Sequence, residues 1–142
     1  YKDEARNRET FPTIDGVRHS IPGDWCTLEA DGTITLLGRG SNCINTGGEK
    51  VFPEEVEEAL KAHPDVLDAA VFGVPDERWG EAVAGVVRVR SVTDTDESAL
   101  GDYLKTRLAG YKRPKKLSCV LQSFRAENGK MDYDAAKSLF AP

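Results

Sequence analysis

Two valine-rich runs constrain this chain most: 66–74 (VLDAAVFGV) and 83–90 (VAGVVRVR), with the turn Pro75-Asp76-Glu77-Arg78 between them. β-Branched and small apolar residues at this density fit a pleated surface better than a helix, and the alternation after Gly85 predicts a sheet with one covered face. Pro53 opens a helical segment on one side of the runs. Proline suits the first helical turn, Glu54, Glu55, Glu57 and Glu58 complement the positive end of the dipole, and Val56 with Leu60 marks a buried stripe. His63-Pro64 ends that helix. A second helix is expected over 96–109, with acidic residues at its start, Leu100, Leu104 and Leu108 in i, i+4 spacing, and Gly110 as its stop. A third strand is expected at 117–121 and a short final helix at 133–140.

Upstream, the strand-like runs 25–29 and 33–37 flank Ala30-Asp31-Gly32, and an Asp-Gly pair between β-type segments signals a hairpin. The stretch 38–50 (GRGSNCINTGGEK) carries four glycines among small polar residues and reads mostly as flexible loop. Residues 1–16 are polar, lack a sustained period and do not read as the start of an independent domain, so the chain is expected to be cut from a longer one. The elements together predict an α+β fold: an N-terminal β-hairpin and hinge, then a small mixed sheet of about three strands with helices packed on it.

At 142 residues the chain accommodates one ordinary domain with a piece of another. A net charge of -5, from 19 basic and 24 acidic residues mixed along the chain, argues against a general nucleic-acid binder, which needs a basic surplus to neutralise phosphates. Cys26, Cys43 and Cys119 are far apart and form no Cys-x-x-Cys unit, so neither a disulfide framework nor a metal site is indicated. There is no apolar run of spanning length, and a cytoplasmic origin is expected. His19 and His63 make no metal or nucleophile constellation, and the four helical glutamates are explained by the dipole and solubility.

GRGSNCINTGGEKVFPEEVEEAL resembles the segment Gly-Arg-x-x-Asp-x-Ile-x-x-x-Gly-x-x-(Val/Ile)-x-Pro-x-Glu-(Val/Ile)-Glu of the adenylate-forming enzymes, which include acyl-CoA synthetases, luciferases and peptide-synthetase adenylation domains. Gly23-Asp24, Gly73-Val74-Pro75-Asp76-Glu77-Arg78-Trp79-Gly80, and Tyr111-Lys112-Arg113-Pro114-Lys115 followed by Asn128-Gly129-Lys130 match in the same order. The variant INTGGEKVFPEEV looks most like fatty-acyl and steroid-side-chain CoA ligases of actinobacteria.

The resemblance implies that residues 1–40 are the tail end of a large adenylation domain and that 41–142 form the small C-terminal lid that closes over it in two successive orientations. The first makes acyl-adenylate from a carboxylic acid and ATP with Mg2+; the second admits CoA. Lys130 then corresponds to the adenylation lysine, a movable positive charge for a crowded anionic transition state. Asp24 corresponds to the carboxylate that accepts from the ribose hydroxyls and Arg39 to the arginine that contacts the nucleotide. Ser41 and Asn42 occupy the hinge, where relatives often carry charged residues, so the usual anchor is missing here. Gly47 and Gly48 match the glycines beside the pantetheine tunnel, and Trp79, Tyr111, Arg113 and Lys115 match positions lining the CoA nucleotide site.

Other readings of the residues remain open. Lys130 also reads as a solvated loop lysine, Arg39 as a salt-bridge residue, Trp79 as a core aromatic, and the basic run 112–116 as solvated surface. Two alternatives to the CoA ligase stand: a fatty acyl-AMP ligase or peptide-synthetase domain delivering to a carrier protein, and a non-catalytic module. The expected partners are the chain's own N-terminal adenylation domain, a small carboxylic acid and CoA. The family's phosphate loop is absent from these residues, so the chain by itself is expected to have no ligase turnover.

Overall fold

In the computed structural model residues 3–140 are described, without the side chains of Arg39 and Ser41, and the chain divides into two compact units, one running to Ser41 and the other beginning at Asn42.

The first unit begins with helix α1 (Glu4–Thr10), N-capped by the Asp3 carboxylate, which accepts from the Arg6 amide at 3.0 Å. A short hairpin of β1 (Thr13–Ile14) and β2 (Val17–Arg18) follows, then the expected hairpin of β3 (Asp24–Leu28) and β4 (Ile34–Arg39). Its turn is closed by Asp31, whose carboxylate accepts from the Thr33 amide at 2.9 Å and the Thr33 hydroxyl at 2.6 Å. α1 is an addition to the sequence reading, because a helix with no buried residue has no apolar period to reveal it. None of the described residues in this unit is buried, and Trp25, Leu28, Ile34 and Leu36 of the hairpin are exposed.

The second unit is built on the long hairpin of β7 (Val66–Asp76) and β8 (Gly80–Val89). Asp76 shapes its turn by accepting from the amides of Arg78 and Trp79, both at 2.9 Å. The stretch expected to be loop instead folds as β5 (Ile44–Thr46) and β6 (Glu49–Val51), joined by Gly47 and Gly48 at φ 61° and 89°. Two successive positive φ angles make the tight turn that fits strand twist. β9 (Lys116–Val120) pairs parallel to β8, completing a five-stranded sheet in place of about three, ordered β6-β5-β8-β7 with β9 also on β8. β5 meets β8 at Gly80 and β9 meets it from Ala84 to Arg88, so these two strands lie end to end along one side of β8 while β7 occupies the other.

Both faces of the sheet are covered, where one was expected. Ala69, Val71, Val83, Val87 and Val89 pack with Val56 and Leu60 of α2 (Pro53–Lys61) and with Leu100 and Leu104 of α3 (Glu97–Leu104). Ala70, Phe72, Ala84 and Val86 face the other way, against Phe124 and against Ala136 of α4 (Tyr133–Ser138). Near-continuous apolar runs are what a strand buried on both faces needs. α3 stops five residues before the expected 109. The amides of Lys105 and Arg107 bond three residues back, to Asp102 and Leu104, and the Tyr103 carbonyl accepts from the Arg107 guanidinium at 3.1 Å, so the α-type ladder is interrupted here although the Leu108 amide still reaches Leu104. His63 has a packing role, its ring edge-on to Tyr103 at 4.7 Å between centroids.

Candidate functional site

Lys130 lies in a tight turn between Phe124 and α4. The Gly129 amide donates to the Ala126 carbonyl at 2.8 Å, Gly129 has φ 77°, and the Asn128 side chain accepts from the Lys130 amide at 3.0 Å. The legs pair across Arg125 and Met131. Lys130 is exposed, and among the described residues no ion pair engages its ammonium. A presented, unneutralised cation on a fixed backbone suits recognition of an anion.

The turn is tied to the sheet on both sides. Arg125 makes a forked pair with the buried Asp68 of β7, Nη2 donating to Oδ1 at 2.8 Å, while its Nη1 donates to the Gly129 carbonyl at 2.9 Å. Beyond Lys130, the Asp132 carboxylate caps α4 and the Tyr133 hydroxyl donates to Glu57 at 3.0 Å. Glu57 also accepts from the Val71 amide at 2.9 Å, on the outer side of β7. This corrects in part the reading of the glutamate run as a dipole-complementing, solvated face: Glu54 and Glu55 do stand in the first turn and Glu58, paired with Lys61, is solvated, but Glu55 is taken by Lys112 and Glu57 is buried.

Burial raises the Glu57 pKa above 4.5, more than the bonds from Val71 and Tyr133 lower it. Burial and the neighbouring Glu57 carboxylate likewise raise Tyr133, which stays a phenol. Between 4.5 and its folded value Glu57 binds more protons folded than unfolded, so its contribution to stability declines as pH rises through that window. Glu57→Gln keeps an acceptor for both donors without the charge. Its melting temperature is expected to match or exceed wild type at pH 7 and to depend less on pH above 4.5; a large loss at pH 7 would show that the carboxylate itself is required.

At the far end of the β7–β8 hairpin, Gly47 and Trp79 are brought together. The Gly47 amide donates to the Trp79 carbonyl at 2.9 Å, and a Cβ on Gly47 would come within 2.6 Å of the indole ring. Only a bare backbone fits there. Gly48 is open, with nothing within 4 Å of the same position. Trp79 stays 39% exposed, and the Arg78 guanidinium lies 4.6 Å from the centroid of its ring. Arg78 stands inside a recognised motif, but its sequence gave no hint that it would flank the indole.

The segment carrying Tyr111, Arg113 and Lys115 runs beside α2 and α3. Lys112 is taken by Glu55 at 2.7 and 2.8 Å, so it belongs to the fold. Arg113 lies against Gly110, where a Cβ would come within 2.9 Å of its guanidinium. Tyr111 and Lys115 are exposed, and the Lys115 amide donates to the Val83 carbonyl at 2.8 Å. This segment meets β8 part-way along its length, whereas Gly47, Gly48 and Trp79 gather at the start of that strand. From Asp68 to Asp76, at about 3.3 Å per residue, β7 separates the Lys130 end from the Trp79 end by roughly 25 Å.

In the first unit Asp24 and Arg39 are cross-strand partners of β3 and β4, so two candidates 15 residues apart in sequence share one end of a hairpin. Asp24 is exposed, and the Arg39 side chain lies outside the described residues, as does that of Ser41. The backbone of Gly40–Asn42 forms a single 3-10 turn at the division between the units. The Gly40 amide donates to the Gly23 carbonyl at 3.3 Å, and a Cβ on Gly40 would come within 2.9 Å of Trp25 Cδ1.

Among the described residues no group of three or more His, Cys, Asp or Glu could hold a metal ion. Burial, with Glu97 and Asp96 nearby, pushes the Cys119 thiol up to about 11, which removes it as a nucleophile near neutral pH. No helix among the described residues is long and apolar enough to cross a membrane.

The family described as AMP-binding enzyme C-terminal domain matches residues 55–130. A medium/long-chain-fatty-acid–CoA/3-oxocholest-4-en-26-oate–CoA ligase of Mycolicibacterium smegmatis is 54% identical over 139 residues, which cover 98% of this chain and 25% of the relative. A 3-oxocholest-4-en-26-oate–CoA ligase of Rhodococcus rhodochrous is 53% identical over 137 residues, 96% of this chain and 25% of that protein. Among solved structures, O-succinylbenzoate coenzyme A synthetase of Bacillus subtilis in complex with ATP and magnesium ion superposes with a TM-score of 0.79 at 31% identity, over 96% of this chain and 27% of that one. The chain therefore spans about a quarter of the length of these relatives.

Proposed function

We propose, from the premise that this chain belongs to the AMP-binding enzyme C-terminal domain family, that residues 41–142 are the mobile lid of an ATP-dependent acyl-CoA synthetase and residues 1–40 the tail of its large domain. The observation that carries this reading is the separation of the candidates on one compact unit. Lys130 stands at one end of β7 and the Gly47–Trp79 pair at the other, so one reaction centre can meet both only if the unit turns. In the first orientation Lys130 faces the acid and the α-phosphate; in the second the Gly47 backbone and Trp79 flank the entering thiol arm. Arg113 and Lys115, with Arg78, supply positive charge for phosphates of CoA.

Asp24 and Arg39 remain with the large domain and hold the nucleotide's ribose, while Ser41 and Asn42 are the residues about which the lid turns. The exposed apolar side chains of the β3–β4 hairpin support this division, since they need cover from a further part of the protein. The names of the relatives favour a medium- or long-chain fatty acid, or a steroid with a carboxylated side chain, as substrate. Mg2+ would accompany ATP; among the described residues no group of three or more His, Cys, Asp or Glu could hold the ion, and its ligands are proposed to come from the nucleotide and the large domain. A cytoplasmic location is part of the same proposal.

The test is to assay acid-dependent pyrophosphate release and thioester formation in three proteins: the longer parent, the parent cut after Ser41, and the 142-residue chain. The parent is expected to form the CoA thioester and the other two to make none. Thioester appearing only on a carrier protein would replace CoA as the acceptor, and turnover by the short chain would sink the lid reading.

A further inference from the structure

We infer that Arg125 is a positioning residue for Lys130, acting with Asp68 as its anchor; this rests on the proposed role of Lys130 in adenylation. The guanidinium has three of its nitrogens engaged. Nε and Nη2 hold the Asp68 carboxylate and Nη1 holds the Gly129 carbonyl, directly before Lys130. A group with its fork committed in this way fixes geometry and has little left for a ligand.

Asp68 is well placed to resist movement, being 7% exposed and rooted in β7, with its Oδ1 also accepting from the Ala69 amide at 3.1 Å. The second leg of the turn has its own tie, because the Asp132 amide donates to the Phe124 carbonyl at 3.2 Å and Tyr133 reaches Glu57. The Lys130 backbone is therefore held from both directions while its flexible side chain carries the free charge. Without the Arg125 fork the Gly129 carbonyl loses its donor, and the turn is left hanging on one leg. Misplacing a reacting group by about 1 Å can cost 10²-fold in rate, with no change in fold.

The experiment uses the longer parent protein with Arg125→Ala, Arg125→Lys and Asp68→Asn, each also combined with Lys130→Ala, and measures the two half-reactions separately. Arg125→Ala is expected to lower kcat for acyl-adenylate formation by about ten- to a hundredfold while leaving KM for ATP and transfer to CoA from preformed acyl-adenylate near wild type. Arg125→Lys keeps the charge but not the fork and should rescue poorly; Asp68→Asn should show the same selective loss to a smaller degree. In the Lys130→Ala background, Arg125→Ala should have almost no further effect, because it acts through the missing side chain. Equal loss in both half-reactions, or full additivity with Lys130→Ala, would overturn the inference. If Lys130→Ala collapses adenylation and Arg125→Ala does not, the positioning role alone fails; if Lys130→Ala spares adenylation, the Lys130 reading fails first.

Discussion

Replacing Lys130 by alanine in the longer parent is expected to slow acyl-adenylate formation by about 10²–10³-fold, the range seen when one preorganised electrostatic contact to a transition state is removed. A carboxylate oxygen and an α-phosphate are both anionic, and the bond between them forms as the bond to the departing pyrophosphate breaks. Negative charge is most crowded at that moment, so an ammonium placed between the reactants lowers the barrier more than it strengthens ground-state binding. Lys130 suits this task because its turn is anchored on two legs and, among the described residues, no ion pair neutralises it. The second step forms a carbon–sulfur bond and releases AMP, and in the proposed lid cycle it runs with Lys130 withdrawn. Transfer from preformed acyl-adenylate should therefore stay within about threefold of wild type. Equal loss in both steps would mean that the lid never reorients.

The opposite selectivity is expected at the other end of the sheet. Gly47→Val forces a β-branched residue to φ 61° and sets its Cβ against the Trp79 ring, 2.6 Å from Cε3. Strain and overpacking together cost about 2–5 kcal/mol of stability, relieved in part if the indole moves. Either outcome fills or distorts the gap beside Trp79. CoA transfer should fall by about 10²-fold with adenylation close to wild type. Gly48→Ala is the control, since its Cβ meets nothing within 4 Å and only the φ of 89° disfavours it. A Gly47→Val enzyme that transfers to CoA at the wild-type rate, and is shown by melting to be folded, would remove Gly47 from the thiol path.

Much of the fold was legible because it is built from local signals. The Asp31-Gly32 turn, Pro53 at the helix start and the two valine runs each have a short-range cause, and each appears near its expected position. The misses arise where local and tertiary signals diverge. Ile44–Thr46 and Glu49–Val51 become strands only because the Gly47-Gly48 turn folds them together and Thr46 finds Gly80 on β8, so the stretch looked like loop. Glu57 is one of four neighbouring glutamates, and nothing in that run says which one meets Val71 and Tyr133.

The candidate site was legible only through resemblance. Lys130, Asp24 and Gly47 belong to ordered motifs, whereas a lone lysine or aspartate carries no such information. Arg125 and Asp68 left no mark, since residues 57 positions apart announce their pairing only in three dimensions. Arg78 had a motif but no visible purpose until its guanidinium was found beside the indole.

The position of β7 at the rim of the sheet has one more consequence. An outer strand from Val66 to Asp76, rich in valine and alanine, invites a stranger's strand to add to it and so seed aggregation. At Val71 the Glu57 carboxylate occupies a donor that an added strand would need, and Asp76 places an acid at one end of the strand. The Glu57 contact that helps steady the lysine turn thus also guards an open strand edge against a second copy of the chain.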